Sequence, residues 1–529
     1  MQFDSRALAD GAQIDADVCI VGAGPAGIAL ARELIGQGPR VCVLESGDAT
    51  PLRSAQELNR GENSGYTYMR LHDARVRAFG GTSRHWPLSD GWRSRPLDAV
   101  DFEPRPAIPH SGWPFERAHL EGYYRRAQSI CDLGPYGYGA DAWERPATYP
   151  FLPLGTEVRT TMFHLGRTTF ERYHGELARA ANVSLFLHAH VVDIATDGNP
   201  RTVDRVEAKR DDGRGFSVRA RLFVLATGGI ENARLLLLSD RTHRRGLGND
   251  HDLVGRFFME KLSTRSGFIL PAASELVDRA KLYDSAVIDG HWVQAAARVD
   301  DDVIRREGLR NCVFYLLPRT QVFTSEGLRS LATLKKVMDR RPLPRDTLRH
   351  LRNVVTNVDD LARLAAHFVT RSGEGVLVVR PQAEQAPDPA SRVTLGSTKD
   401  RLGLRRARLA WRMTEEDRRS IRRSQEILDQ ALRGAGLGRM RMPLGDEDPP
   451  ALFEGNSHHI GTTRMHVDPK QGVVDQHGKV HGLTNLFVAG SSVFPTEGCS
   501  NPTLTIVALS LRLADHVKKL LAGESGADS

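Results

Sequence analysis

The sequence predicts an α/β protein of at least two structural domains, with a dinucleotide-binding unit at its N-terminal end. Two observations carry this expectation. The chain has 529 residues, several times an average domain. Its first 45 residues hold an ordered run of strand, glycine loop, helix, strand and acid. Hydrophobic residues at 40% and charged residues at 26% fit a globular protein and exclude a largely disordered one.

Residues 17–21 (DVCIV) form an apolar, β-branched run suited to a buried parallel strand. GAGPAG follows, with Gly22 for the tight turn, Gly24 for close approach of a pyrophosphate, and Gly27 for helix–strand packing. A helical stretch runs to Leu34 and breaks at Gly36 and Gly38. The second strand, 41–44, ends in Glu45, placed to bind the ribose hydroxyls of an adenosine. The pyrophosphate would sit on the helix N-terminus, where free N–H groups and the dipole favour negative charge. VLESG leans towards FAD, and the fingerprint alone leaves NAD open.

Further along, residues 191–194, beginning at Val191, read as a strand, and 222–226 as another. The latter ends in Thr227-Gly228-Gly229 before a helix to Leu238, which suits either a second cofactor contact or an ordinary strand–helix turn. Two arginine-rich amphipathic helices are expected, one around 328–338 and one over 346–370. Their basic faces suit solvent first and an anionic membrane surface second. Thr414-Glu-Glu-Asp417 reads as the capping box of another Arg-rich helix.

Near the C-terminus, 457–465 (SHHIGTTRM) and 485–505 are dense in polar and small residues, and an apolar helix over 506–517 closes the chain. Residues 486–489 read as a strand leading to Gly490. Pro502 suits the first helical position, and Thr503 the same N-terminus, which can face an anion or a flavin carbonyl. A histidine near Asn501 makes an acid–base pair: the imidazole takes a hydroxyl proton while the amide orients the oxygen. Spacing alone slightly favours a core hydrogen bond for His458 or His459 over catalysis.

Several classes are disfavoured. The five cysteines lack CxxC spacing, so no zinc site or disulfide framework is expected, and no metal is assigned. Net charge is +7, and the Arg runs lack the interleaved aromatics of a nucleic-acid surface. No apolar run reaches membrane-spanning length and no export signal is visible, so a cytoplasmic protein is expected.

Taken together, GAGPAG with Glu45, RAFGGTSRHW (77–86), HHIGTTRM (458–465) and NPTLT (501–505) resemble the glucose–methanol–choline (GMC) oxidoreductases, an FAD-dependent family. The resemblance implies a Rossmann-type FAD-binding domain (1–105, 183–262 and 450–529) and a discontinuous α+β substrate-binding cap domain (106–182 and 263–449). It implies His458 as base and Asn501 as its partner. Gly80, Gly81 and Ser83 would line the flavin, and Val191 would touch adenine. The loop through His85 is similar to those of pyranose and choline oxidases that bind flavin covalently through histidine, so FAD bonded to His85 is a candidate beside a non-covalent flavin.

The implied reaction is oxidation of a CH–OH group, with the proton passing to His458 and hydride to flavin N5. The substrate is expected to be a sugar, glycoside, polyol or other alcohol, and the electron acceptor oxygen, a quinone or a redox protein. A flavin-containing hydroxynitrile lyase is the alternative, and a flavin monooxygenase or halogenase fits the fingerprint but not the His458/Asn501 terminus. Lys261, His466 and Cys499 depart from the family pattern.

Overall fold

A computed structural model describes residues 1–86, 91–196, 199–264, 267–273, 275–320, 375–441 and 457–523, with five isolated positions between 330 and 355. The two arginine-rich helices expected around 328–370 lie almost wholly outside the described residues.

The first layer is an eight-stranded sheet. At its centre Ala12–Val21 runs parallel to Val41–Leu44 on one side and to Gly215–Leu225 on the other. Val18, Cys19, Ile20, Val41 and Val43 are buried on both faces, as a covered parallel sheet requires. The strand is longer than its apolar run, because its exposed first half pairs Ala12–Ala16 with Phe216–Ala220. Val183–Leu187 and the short Gln2–Asp4 extend one edge. Val203–Lys209 and His190–Thr196 continue antiparallel from Gly215–Leu225, and Leu486–Val488 pairs parallel with that same strand. The helices Pro25–Glu33 and Thr503–Leu521 pack on this sheet and on each other.

The second layer is a nine-stranded sheet, antiparallel throughout the described pairings. Its central strands are Val158–Gly166, His291–Val299, Cys312–Thr320 and Gly375–Ala383. One face carries Cys312, Phe314, Leu316, Leu377 and Val379 into a core shared with Glu415–Gly434. That helix opens with the expected capping box, Thr414 and Asp417 bonding reciprocally. The opposite face carries Phe163, Ala296, Val313 and Tyr315, which cluster with Cys499.

The chain does not divide between the layers where the sequence reading drew its boundaries. Trp92–Ser94 joins the second sheet, pairing with His164–Gly166, although it falls within 1–105. Conversely, Leu120, Tyr124, Ala127, Phe170, Tyr173 and Leu177 pack into the first core, although they fall within 106–182. Both departures follow from burial, since each segment covers the apolar surface nearest to it.

Candidate active site

Against the first layer lies a cavity enclosing about 1250 Å³ of empty space, open solvent at its mouth included. Its floor is the glycine loop. Gly22 has φ +103°, and a Cβ there would stand 2.7 Å from the Ala226 carbonyl oxygen. A Cβ on Gly27 would collide with the Gly22 carbonyl, so this glycine is fixed by packing and lies behind the wall. Gly24 differs, because a Cβ there would meet no protein atom within 4 Å. It is the N-cap of Pro25–Glu33, no side chain caps that end, and it faces the cavity. Such an uncapped helix end, with space kept clear in front of it, fits a phosphate.

Glu45 is buried and locks this loop. One carboxylate oxygen accepts from Ala23 N at 2.9 Å and the other from Gly47 N at 2.7 Å. The second glycine loop docks on the first: Gly80 N donates to Ala23 O at 2.8 Å, and Gly81 and Gly24 nearly touch. Ser83 Oγ donates to Gly80 O at 2.6 Å and closes the turn.

Of the residues expected at a cofactor, Gly22, Gly24, Glu45, Gly81, Ser83, Val191, Gly228, Gly490, Pro502 and Thr503 line this single cavity, and so does His458. Gly80 supports the wall from behind, packed against Glu171. His85 ends the Gly81–His85 turn exposed to solvent, while Thr82, Ser83 and Trp86 line the cavity. Pro502 is the N-cap of the last helix rather than its first residue.

Around the two histidines the sequence reading missed most partners. His458 N donates to both oxygens of buried Glu260, at 3.0 and 3.1 Å. Tyr68 OH donates to Glu260 Oε2 at 2.5 Å, and His459 Nε2 lies 2.9 Å from that hydroxyl. His459 is thus held in the wall, whereas His458 Nδ1 is buried with no hydrogen-bond partner. Burial first, then the Lys261 charge, then His459, hold the His458 imidazole down to about 3. Burial, then Arg75, do the same for His459, also to about 3. Both imidazoles are therefore neutral at physiological pH, the form that accepts a proton.

Asn501, half-buried, stands immediately before Pro502. Its Oδ1 accepts from Gln382 Nε2 at 2.9 Å, and the same nitrogen reaches Cys499 O at 2.8 Å. Gln382 thereby ties the second sheet to the Asn501 loop. Towards Glu45, Arg75 and Arg77 also line the cavity, ion-paired with Glu231 at 2.9 and 2.8 Å. Burial raises Glu497 to about 8 against the opposing pull of Lys261, and lifts Cys499 to about 12. Among the described residues no group of three or more His, Cys, Asp or Glu could hold a metal ion, and no helix is long and apolar enough to cross a membrane.

Comparison with known proteins agrees with this arrangement. Residues 387–510 match the family model described as GMC oxidoreductase, and residues 17–244 match FAD dependent oxidoreductase. The chain is 25% identical to the fructose dehydrogenase large subunit of Gluconobacter japonicus, across 95% of this chain and 98% of that one. It is 26% identical to the 6'''-hydroxyparomomycin C oxidase of Streptomyces lividus, across 97% and 93%. A shorter stretch, 23% of each chain, is 37% identical to the C-glycoside 3-oxidase of Arthrobacter globiformis. Among solved structures, pyridoxine 4-oxidase from Mesorbium loti shares the fold, with TM-score 0.54 at 18% identity over 94% of this chain and 98% of that one.

Proposed function

Since this chain is an FAD-dependent member of the GMC oxidoreductase family, we propose that it oxidises a CH–OH group of a sugar, glycoside or polyol to the carbonyl, with His458 as the base. The observation that carries this reading is the neutral His458 imidazole on the cavity wall, near a loop whose amide, Asn501, is fixed by Gln382. The residues present fit FAD: Gly24 leaves space at an uncapped helix end, and Glu45 stands in the same wall.

When bound, FAD supplies the acceptor for the hydride that leaves the carbon. The chain's own residues handle the proton. The substrate hydroxyl gives its proton to the His458 imidazole while Asn501 Nδ2 donates to the same oxygen, so charge never accumulates on it. Glu260 holds the His458 backbone and so fixes where the ring stands. The second sheet, through its face carrying Phe163, Tyr315 and Gln382, closes over the substrate and sets specificity. The names of the relatives, a fructose dehydrogenase, a C-glycoside 3-oxidase and a hydroxyparomomycin oxidase, support a polyhydroxylated substrate.

We read the flavin as non-covalent, because His85 is exposed and outside the cavity lining. Denaturation should release free FAD into the supernatant, and a yellow polypeptide that turns colourless in His85→Ala would establish the His85 bond instead. The function itself is tested by adding sugars, glycosides, polyols and simple alcohols anaerobically to the flavoprotein. Bleaching of the oxidised-flavin absorbance by one of them is the expected result. A flavin that none of them reduces, in a protein that cleaves cyanohydrins, would overturn the reading in favour of a lyase.

A further inference from the structure

We infer that Arg93 and Tyr315 form a carboxylate subsite on the substrate-facing side of the second sheet, so that the compound oxidised is a sugar or polyol bearing an acid group. The inference rests on the CH–OH oxidation reading and names its substrate class.

The neighbours of these two residues place the subsite. Val313 and Tyr315 leave Cys312–Thr320 on the face opposite the Glu415–Gly434 core, and there they cluster with Phe163, Ala296 and Cys499. Val313 pairs across the sheet with Gln382, whose amide holds both Cys499 O and Asn501 Oδ1. Arg93 reaches Tyr315 from Trp92–Ser94, its guanidinium carbon 4.5 Å from the ring centroid. The residue before it, Trp92, packs on Trp86 with 4.8 Å between centroids, and Trp86 lines the flavin cavity. Arg93 and Tyr315 are thus linked by packing both to the Asn501 loop and to the cavity wall.

Both groups are held with donors to spare. Gln294 is fully buried, and its Nε2 donates to Tyr283 O at 2.8 Å. That turns its Oε1 to accept from Arg93 Nε at 2.5 Å. The bond fixes the guanidinium plane and leaves Nη1 and Nη2, a fork that meets a carboxylate with two hydrogen bonds. Among the described residues the half-buried Arg93 has no carboxylate partner. Tyr315 is 3% exposed and its hydroxyl has no hydrogen-bond partner, an unfavourable state that a bound acceptor would relieve. Burial raises this hydroxyl to about 12 against the pull of Arg93, so it remains a protonated donor. Facing it besides are Arg380, its cross-strand partner, then Arg95, ion-paired with Asp98 at 2.7 Å, and the Cys499 thiol, kept protonated by burial. A neutral substrate hydroxyl would satisfy Tyr315 alone. The Arg93 fork beside it calls for a negatively charged oxygen pair.

The flavin-loaded protein is tested with two readouts. Calorimetric titration with cyclohexanecarboxylate, which has no hydroxyl to oxidise, and with the neutral cyclohexanecarboxamide reads the subsite alone. The carboxylate is expected to bind at least about tenfold more tightly than the amide. Arg93→Met should abolish that preference, and Arg93→Lys should keep part of it. Arg93→Gln replaces the methionine variant if that one does not fold. Tyr315→Phe should weaken carboxylate binding about three- to tenfold. No carboxylate binding, equal affinities for the two compounds, or a carboxylate affinity unchanged in the uncharged Arg93 variant each overturn the proposal. Anaerobic flavin reduction by matched pairs, D-glucuronate with D-glucose and D-gluconate with D-sorbitol, then reads the substrate class. An acid should exceed its neutral partner at least about tenfold in kcat/KM, and Arg93→Met should erase that ratio. Neutral partners that reduce the flavin as well as the acids overturn the proposal. If the carboxylate binds through Arg93 and no compound bleaches the flavin, the subsite stands and the oxidation reading falls.

Discussion

Gln382 Nε2 donates to Asn501 Oδ1 at 2.9 Å, which turns the Asn501 amide so that its own N–H groups face away from the second sheet. The contact joins residues from the two layers and fixes the amide proposed to hold the substrate oxygen. Gln382→Leu should slow flavin reduction about tenfold, the worth of one hydrogen bond, with FAD absorbance unchanged. Gln382→Glu should slow it further, because a carboxylate draws Asn501 Nδ2 towards itself. Stopped-flow reduction rates equal to wild type in both variants would remove Gln382 from the mechanism.

His458→Ala should lower the reduction rate by about 10²–10⁴-fold while the protein keeps its flavin. His459→Ala should cost less in rate and more in stability, since His459 is bonded to buried Tyr68. Paired measurements of reduction rate and thermal unfolding separate the two roles. A His459 variant slower than the His458 variant would reassign the base.

The three fingerprint glycines should fail in different ways. Gly27→Ala forces a Cβ into the Gly22 carbonyl, so the protein should lose stability even without cofactor. Gly24→Ala meets no protein atom within 4 Å, so the apoprotein should melt within about 2 °C of wild type. Its FAD affinity should nevertheless fall at least about tenfold, as the methyl enters the space a pyrophosphate needs. Fluorescence titration of apoprotein with FAD reads this directly, and unchanged affinity would move the pyrophosphate elsewhere.

Glu497 makes stability depend on pH. Its folded value is raised by burial from 4.5 to about 8, so the folded protein keeps a proton that the unfolded chain releases. The resulting stabilisation is full below about pH 4.5 and is lost as pH rises to about 8. Asp101, raised to about 7 by burial and by Asp98, slopes the same way. Glu497→Gln should therefore gain on wild type between pH 5 and pH 8, by about 2 °C in melting temperature. A constant difference across that range would contradict the assignment.

The glycine loop, Glu45 and the strands beside them were legible because their chemistry is local: a tight turn needs its glycines within a few residues. The terminal His and Asn segments were legible through family likeness rather than spacing, which left His458 and His459 interchangeable. What separates them, the grip of Glu260 on the His458 backbone and the Tyr68 bond to His459, spans the whole fold. Gln382 carried no signal at all, as a lone amide in a strand makes its contact only after two sheets meet. The layer that a short segment joins is hidden for a related reason. Trp92–Ser94 and Glu121–Ile130 have ordinary local patterns, and only the apolar surface each one covers decides its layer.

Leu486–Val488 lies against Gly215–Leu225, and Gln2–Asp4 against Val183–Leu187, so the first sheet draws on segments far apart in the sequence. During synthesis the glycine loop leaves the ribosome long before the wall that faces it. A nascent polypeptide cannot close around the flavin until the Thr503–Leu521 helix has emerged. Closure around the flavin thus waits on a segment made long after the loop it meets.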